Sequence, residues 1–382
     1  MLLFFTGGSV MPGAMTVAAK PILEAITYAA IPGWAAIDHH ASLAAFRRSC
    51  AEILAEGRAF QRPIKFGGVR ADWLSVCAKA SATDDPRTFF EANFTPLKVN
   101  DPARPEGLFT GYFEPEARGS LKPGKGFTVP IYGRPDDLER FDEAAAPELG
   151  LRYGRTVEGK PQAYFTRREI EEGALAGRRL ELVWLSDWAD AFFIHVQGSG
   201  RVRLPDGSLM RLAYAAKSGQ PYTGIGGLLV ERGVLSRDNM SMQAIRTWMS
   251  DHPGEARELM WENKSFVFFR EVEVENPAFG PPGAQKVSLT PLASLAVDRD
   301  LWAFGTPVWL DTVVPARQGV VEPFHRLMIA QDTGTAIKGL ARGDVFWGAG
   351  DAAAFKAGHM KSVGTMTVLL PKALAGRLVS EQ

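Results

Sequence analysis

The apolar positions along this chain repeat with two different periods. Over 41–60, Leu43, Phe46, Cys50, Ile53 and Leu54 recur at intervals that predict an amphipathic helix. Residues 71–82 and 86–93 predict two more helices. At Gly107 the period changes: in GLFTGYFE, aromatic and small residues alternate, which predicts a strand ending at Pro115. Side chains alternate along a strand, so Tyr112 and Glu114 share one face of it. Further strands are predicted at 182–185, 191–196 and 266–271, and 201–204 with 209–215 form a hairpin about Pro205-Asp206-Gly207. His195 falls inside the second of these and reads as a hydrogen-bonded core histidine. Thr166 followed by Glu169 gives a capping-box signature, and 225–233, 241–251 and 255–261 predict helices. From 287 the chain is strand-rich again, with runs at 295–297, 307–310, 327–330 and 365–370. The Gly- and Pro-rich stretches 117–136 and 276–286 read as boundaries or long loops.

A chain of 382 residues is long for one core and predicts two or three domains. With 43 basic and 43 acidic residues, bulk charge makes no case for nucleic acid or an anionic membrane. The two cysteines, Cys50 and Cys77, belong to no CxxC or Cys/His cluster, so no zinc or other metal site is expected. A disulfide in an oxidising compartment and two buried thiols are both consistent with them. Residues 1–19 are apolar but lack Lys or Arg and are broken by Gly7-Gly8 and Pro12-Gly13. That makes a poor signal peptide and too short a membrane span. The expectation for 1–32 is an untypical leader or a disordered segment.

The densest chemistry lies at 327–350, LMIAQDTGTAIKGLARGDVFWGAG. An apolar run ends in Asp332-Thr333-Gly334, and a second acid, Asp344, follows Arg342-Gly343. Acids at strand edges are costly unless paired or used, and nearby glycines let a ligand approach the backbone. The bland alternative is an aspartate capping its own turn. Asp332-Thr333-Gly334 is also the local signature of an aspartic protease, but that chemistry needs a second such triplet, and the chain has none.

Taken together, GYFEP (111–115), HVQGSGRV (195–202), YTGIGGLL (222–229), FVFFRE (266–271), LAVDRDL to GTPVWL (295–310) and DTGTAIKGLARGDVFWGAG (332–350) resemble, in order, the bacterial lytic murein transglycosylase A family. The resemblance covers roughly 33–372, and Asp298, Asp332 and Asp344 fall on the three aspartates that name its C-terminal 3D module, about 287–372 here. It implies a mainly β fold with some helices: a double-psi β-barrel built from 33–115 and 272–382, with a smaller β-barrel-like domain, 116–271, inserted and a groove between them. It also implies cleavage, without water, of the β-1,4 bond between N-acetylmuramic acid and N-acetylglucosamine, leaving 1,6-anhydro-muramyl ends.

In that reading Asp344 is the catalytic acid and Asp332 its supporting aspartate. Tyr112, Glu114, Gln197, Gly198, Lys338, Gly339 and Asp298 are substrate-binding candidates. No cofactor is implied. The expected partners are peptidoglycan glycan strands, with cell-wall synthesis or outer-membrane scaffold proteins beside them, for a monomer in the periplasm near the outer membrane. The chain shows no lipobox cysteine. The competing readings are a two-carboxylate glycoside hydrolase, pairing Asp344 with Asp332 or Glu114, and a non-catalytic glycan-binding protein on the same fold.

Overall fold

The computed structural model describes residues 22–381 apart from 142–151, 238, 275 and 317–318. The leader expected at 1–19 therefore lies outside the described residues. Three helices open the fold: α1 (His40–Ala55), α2 (Arg70–Ala80) and α3 (Pro86–Asn93). α1 buries the predicted face of Leu43, Phe46, Cys50 and Ile53. α3 starts where Asp85 accepts a hydrogen bond from the Thr88 N–H, with Pro86 in its first turn. Cys50 and Cys77 are bonded, joining α1 to α2 across 27 residues. Replacing Cys50 by Ser should lower stability by about 2–4 kcal/mol. Urea unfolding without reductant checks this, and an unshifted midpoint would contradict it.

The strands of the first part are β1 (Leu23–Ala25), β2 (Phe94–Val99) and β3 (Gly107–Glu114). Then come β4 (Glu116–Ser120), β5 (Val129–Tyr132), β6 (Glu139–Arg140), β7 (Tyr153–Val157), β8 (Lys160–Ala163), β9 (Glu181–Leu185), β10 (Ser199–Arg203), β11 (Leu209–Lys217) and β12 (Val267–Val272). The last five are β13 (Ser294–Val297), β14 (Pro307–Pro315), β15 (Val321–Asp332), β16 (Arg342–Ala349) and β17 (Lys361–Pro371). In the larger sheet the order β17-β14-β15-β13-β16-β3 returns to β17, because β17 also pairs with β3, so six of its eight strands close a ring. β2 and β1 extend it outward from β17. Closure leaves these strands without free edges.

The chain leaves this ring at Glu114 and re-enters it beyond β12. Between them lies a second sheet, β12-β11-β10-β4-β9-β5, with its own core of Val129, Ile131, Val183, Leu185, Val202 and Leu212. Glu114 ties the two sheets together. It is fully buried and accepts from Arg201 Nε and Arg211 Nε, each at 2.7 Å.

Three expectations are corrected here. Residues 191–196 are not a strand but part of helix α5, the ten-residue segment Trp188–Gln197 that follows α4 (Arg167–Glu169). Its residues from Ala191 to His195 are buried all round, which hides the helical period. The decisive signals are its ends: Asp187 accepts from the Ala189 and Asp190 N–H groups, and Gly198 closes it in the left-handed region at φ 75°. The stretch 117–136 is not simply loop, because β4 and β5 run through it. β4 pairs with β10 and β9, and it alternates buried Ala117 and Gly119 with exposed polar residues. Finally, 22–32 belongs to the fold, since β1 pairs with β2 and Leu23 and Ile31 are buried. His195 is a core histidine, as expected. Burial and the nearby Arg167 guanidinium hold its imidazole well below the usual range, and its ring meets Phe266 at 4.3 Å.

Candidate active site

β13 runs between β15 and β16, and one residue of it organises the site. Ala296 is in register with Asp332 on one side and with Asp344 on the other. The two aspartates are thus separated by two ladder spacings, about 10 Å between Cα atoms. Between them β13 contributes only the methyl group of Ala296. On its far side Asp344 is in register with Thr110 of β3.

Asp332 is a fully engaged carboxylate. Oδ1 accepts the backbone N–H groups of Ala284 and Thr333, both at 2.9 Å, and Oδ2 accepts the Tyr112 hydroxyl at 3.0 Å. Burial raises its pKa, and those three donors, with Lys286, oppose the rise by stabilising the charged form. Tyr112 leans on Phe346, with ring centroids 5.2 Å apart. Burial and the two neighbouring aspartates push its phenol far up, so it remains a donor.

Asp344 is different. Its Oδ1 accepts the Thr110 hydroxyl at 2.5 Å, and Thr110 Oγ1 in turn accepts from Arg342 Nη2 at 2.8 Å. Among the described residues Oδ2 has no hydrogen-bond partner, and the residue is only half-buried. Burial pushes its carboxyl above the ordinary carboxylate range. Arg342 and the Thr110 bond pull it back, and the charge of Asp332 adds to the rise. One acid therefore keeps an oxygen open, and the other has none to spare.

The remaining sequence candidates divide. Gln197 accepts the Phe113 N–H at 3.2 Å and borders a cavity of about 300 Å³ with Phe113 and Tyr222. Gly198 is beside it, at the end of α5. Glu114 is corrected: with both oxygens held by arginines and no exposure, it has no surface for a ligand. Asp298 is corrected likewise. It is buried and holds Lys338 Nζ at 2.9 Å and the Gly339 N–H at 3.1 Å, so it shapes the loop that carries them. Gly339 has φ 122°, a conformation that favours glycine. Lys338 also reaches Asp300 and stays exposed.

Sequence reasoning missed Thr110, Arg342 and Ala284. The first two lie two residues before Tyr112 and Asp344, so the alternation that placed Tyr112 would also have found them. Ala284 carries no side-chain signal. It stands in the Pro- and Gly-rich segment read as a boundary.

Two family models match the chain: the MltA specific insert domain over 108–270 and the 3D domain over 293–370. The membrane-bound lytic murein transglycosylase A of Escherichia coli K12 is 34% identical over 277 residues, 71% of this chain and 68% of that protein. The chain belongs to the lytic murein transglycosylase A family. The Vibrio cholerae member is 36% identical over 67% of this chain; the match spans 63% of that relative's length, under two thirds of it. The crystal structure of a membrane-bound lytic murein transglycosylase from Agrobacterium tumefaciens superposes with a TM-score of 0.83 at 35% identity, covering 93% of this chain and 99% of that one. Escherichia coli MltA with bound chitohexaose matches with a TM-score of 0.64 at 28% identity, over 86% and 89% of the two chains. The mixed, sheet-rich architecture described above is that of MltA structures.

Proposed function

We propose that this protein is a peptidoglycan lytic transglycosylase with Asp344 as its single acid and base. The observation that carries the reading is the unequal use of the two aspartates. A leaving glycosidic oxygen needs a protonated carboxyl, and burial favours the neutral form of Asp344, whose Oδ2 is open. Oδ2–H gives its proton to the glycosidic oxygen as the C1–O bond breaks. Ionised Asp344 then takes the proton of the sugar's own C6 hydroxyl, whose oxygen bonds to C1 and closes the anhydro ring. A hydrolase would need a second carboxylate as nucleophile or water base. Asp332 is poorly suited to either, because three donors occupy its oxygens. It serves instead as a fixed negative charge that holds Tyr112 and steadies the oxocarbenium-like sugar.

The six-strand ring supports assignment as a double-psi β-barrel built from the N- and C-terminal parts, with 116–271 as the inserted domain. Glycan strands would lie in the groove between them, within reach of Gln197, Gly198, Lys338 and Gly339. The Escherichia coli relative's bound chitohexaose supports a glycan ligand. The Cys50–Cys77 bond fits an oxidising compartment such as the periplasm. Among the described residues no helix is long and apolar enough to cross a membrane, while the relatives are named membrane-bound.

Digestion of purified sacculi tests the proposal. Soluble muropeptides are expected, and intact sacculi with retained glycan binding would favour the non-catalytic reading. The pH dependence follows from the state of Asp344. It must start protonated, so kcat/KM should fall as pH rises through a pKa that lies above the ordinary carboxylate range. A loss already complete within the ordinary carboxylate range would contradict a raised acid.

A further inference from the structure

We infer that Thr110 and Arg342 form a positioning relay that fixes the acid proton on Oδ2 of Asp344 and stabilises the carboxylate once that proton has left. This inference rests on the transglycosylase reading, and it names two residues for which the site residues themselves gave no role.

A guanidinium has only donors, so the 2.8 Å contact from Arg342 Nη2 makes Thr110 Oγ1 an acceptor there. The one proton of that hydroxyl is then free to point at Oδ1 of Asp344, 2.5 Å away. An oxygen that accepts such a bond is the one least disposed to hold the acid proton. The proton therefore sits on Oδ2, the oxygen without a partner among the described residues. Carboxylate oxygens interchange by rotation about one bond, and nothing else in the site would otherwise choose between them.

The backbone makes the relay rigid. Arg342 and Asp344 are two residues apart on β16 and so share a face. Thr110 stands directly across the ladder from Asp344, and Leu108 across from Arg342. Arg342 is buried at 8% exposure and is itself held by the carbonyl oxygens of Gly343 and Leu108. When Oδ2–H passes its proton to the glycosidic oxygen, the new charge on Asp344 meets the Thr110 hydroxyl and the Arg342 cation already in place, without reorganisation. The same contacts hold Oδ2 toward the C6 hydroxyl for the return of a proton. The relay thus works on the acid and never touches substrate.

Thr110→Val tests this, since it keeps the shape and removes the hydroxyl. The kcat on sacculus fragments should fall about 10- to 100-fold, as expected for losing a hydrogen bond to a developing charge, with KM changed less than about threefold. The alkaline limb of the pH profile should move to higher pH, because the charged form of Asp344 has lost a stabilising donor. Thr110→Ser, which restores the hydroxyl, should recover activity and limb together. Loss of activity in both variants, or a lower amplitude in Thr110→Val with an unmoved limb, would reduce Thr110 to a packing residue and overturn the relay. A wild-type protein that does not cleave sacculi would defeat the transglycosylase reading instead. The relay then still stands or falls by carbon NMR titration of the Asp344 carboxyl. Its midpoint must rise in Thr110→Val, and equal midpoints in the two proteins would overturn it.

Discussion

Asp344→Asn is expected to lower turnover on peptidoglycan by about a thousandfold or more while leaving fold and glycan binding intact. The amide has the shape of the acid, and its oxygen accepts the Thr110 hydroxyl as Oδ1 does now. What it cannot do is give up a proton and take one back. The variant should also be more stable than the parent at neutral pH. A carboxyl whose pKa is raised by folding contributes stability below its unfolded pKa, and that contribution is lost as pH rises through the folded value. At neutral pH the parent bears the cost of a buried charge that the amide avoids. Thermal unfolding and initial rates on one preparation check both statements. Retained turnover would remove Asp344 from the chemistry, and a lower melting temperature would show that its charge is better satisfied than the structure indicates.

Glu114→Gln is expected to destabilise the protein by about 3–5 kcal/mol, although residue 114 lies outside the chemistry. Glu114 sits where the chain leaves β3 for the inserted segment. Its Oε1 accepts from Arg211 Nε, and its Oε2 from Arg201 Nε and, at 3.2 Å, Arg211 Nη2. The same arginines reach the carbonyl oxygens of Pro277 and Phe279 on the returning chain. One carboxylate thus compensates two cations where the chain both enters and leaves the insert. A glutamine keeps the volume but leaves the guanidiniums of Arg211, 3% exposed, and Arg201, 12% exposed, without a countercharge. Urea unfolding of the variant measures the loss, and a midpoint equal to the parent's would contradict the clamp.

The legible part of this molecule is the part whose signal is local. The alternation in β3 gave Tyr112 its face, the apolar run before Asp332 gave β15, and Thr166 with Glu169 gave the capping box that the structure shows at α4. The helical spacing of α1 named its buried face. Partnership across the ring was not legible, because it depends on register between strands far apart in the chain. Thr110 lies 234 residues from Asp344 and Tyr112 lies 220 from Asp332, so no window of sequence contains either pair. Glu114 misled for the same reason. Its face was read correctly, but Arg201 and Arg211, which take that face out of solvent, arrive from β10 and β11. α5 was misread because burial on every side erases the period, leaving only Asp187 and Gly198 to mark a helix. Ala284 was beyond reach, since its contribution to Asp332 is a backbone N–H that any residue would supply.

The most direct test of the central claim, one acid and no water, is to digest sacculi in water enriched in heavy oxygen and weigh the released muropeptides. The account predicts products lighter than the hydrolytic ones by one water, resistant to borohydride, and free of heavy oxygen at C1. Reducible ends that carry the solvent's oxygen would contradict it, and would require a second carboxylate able to activate water beside Asp344.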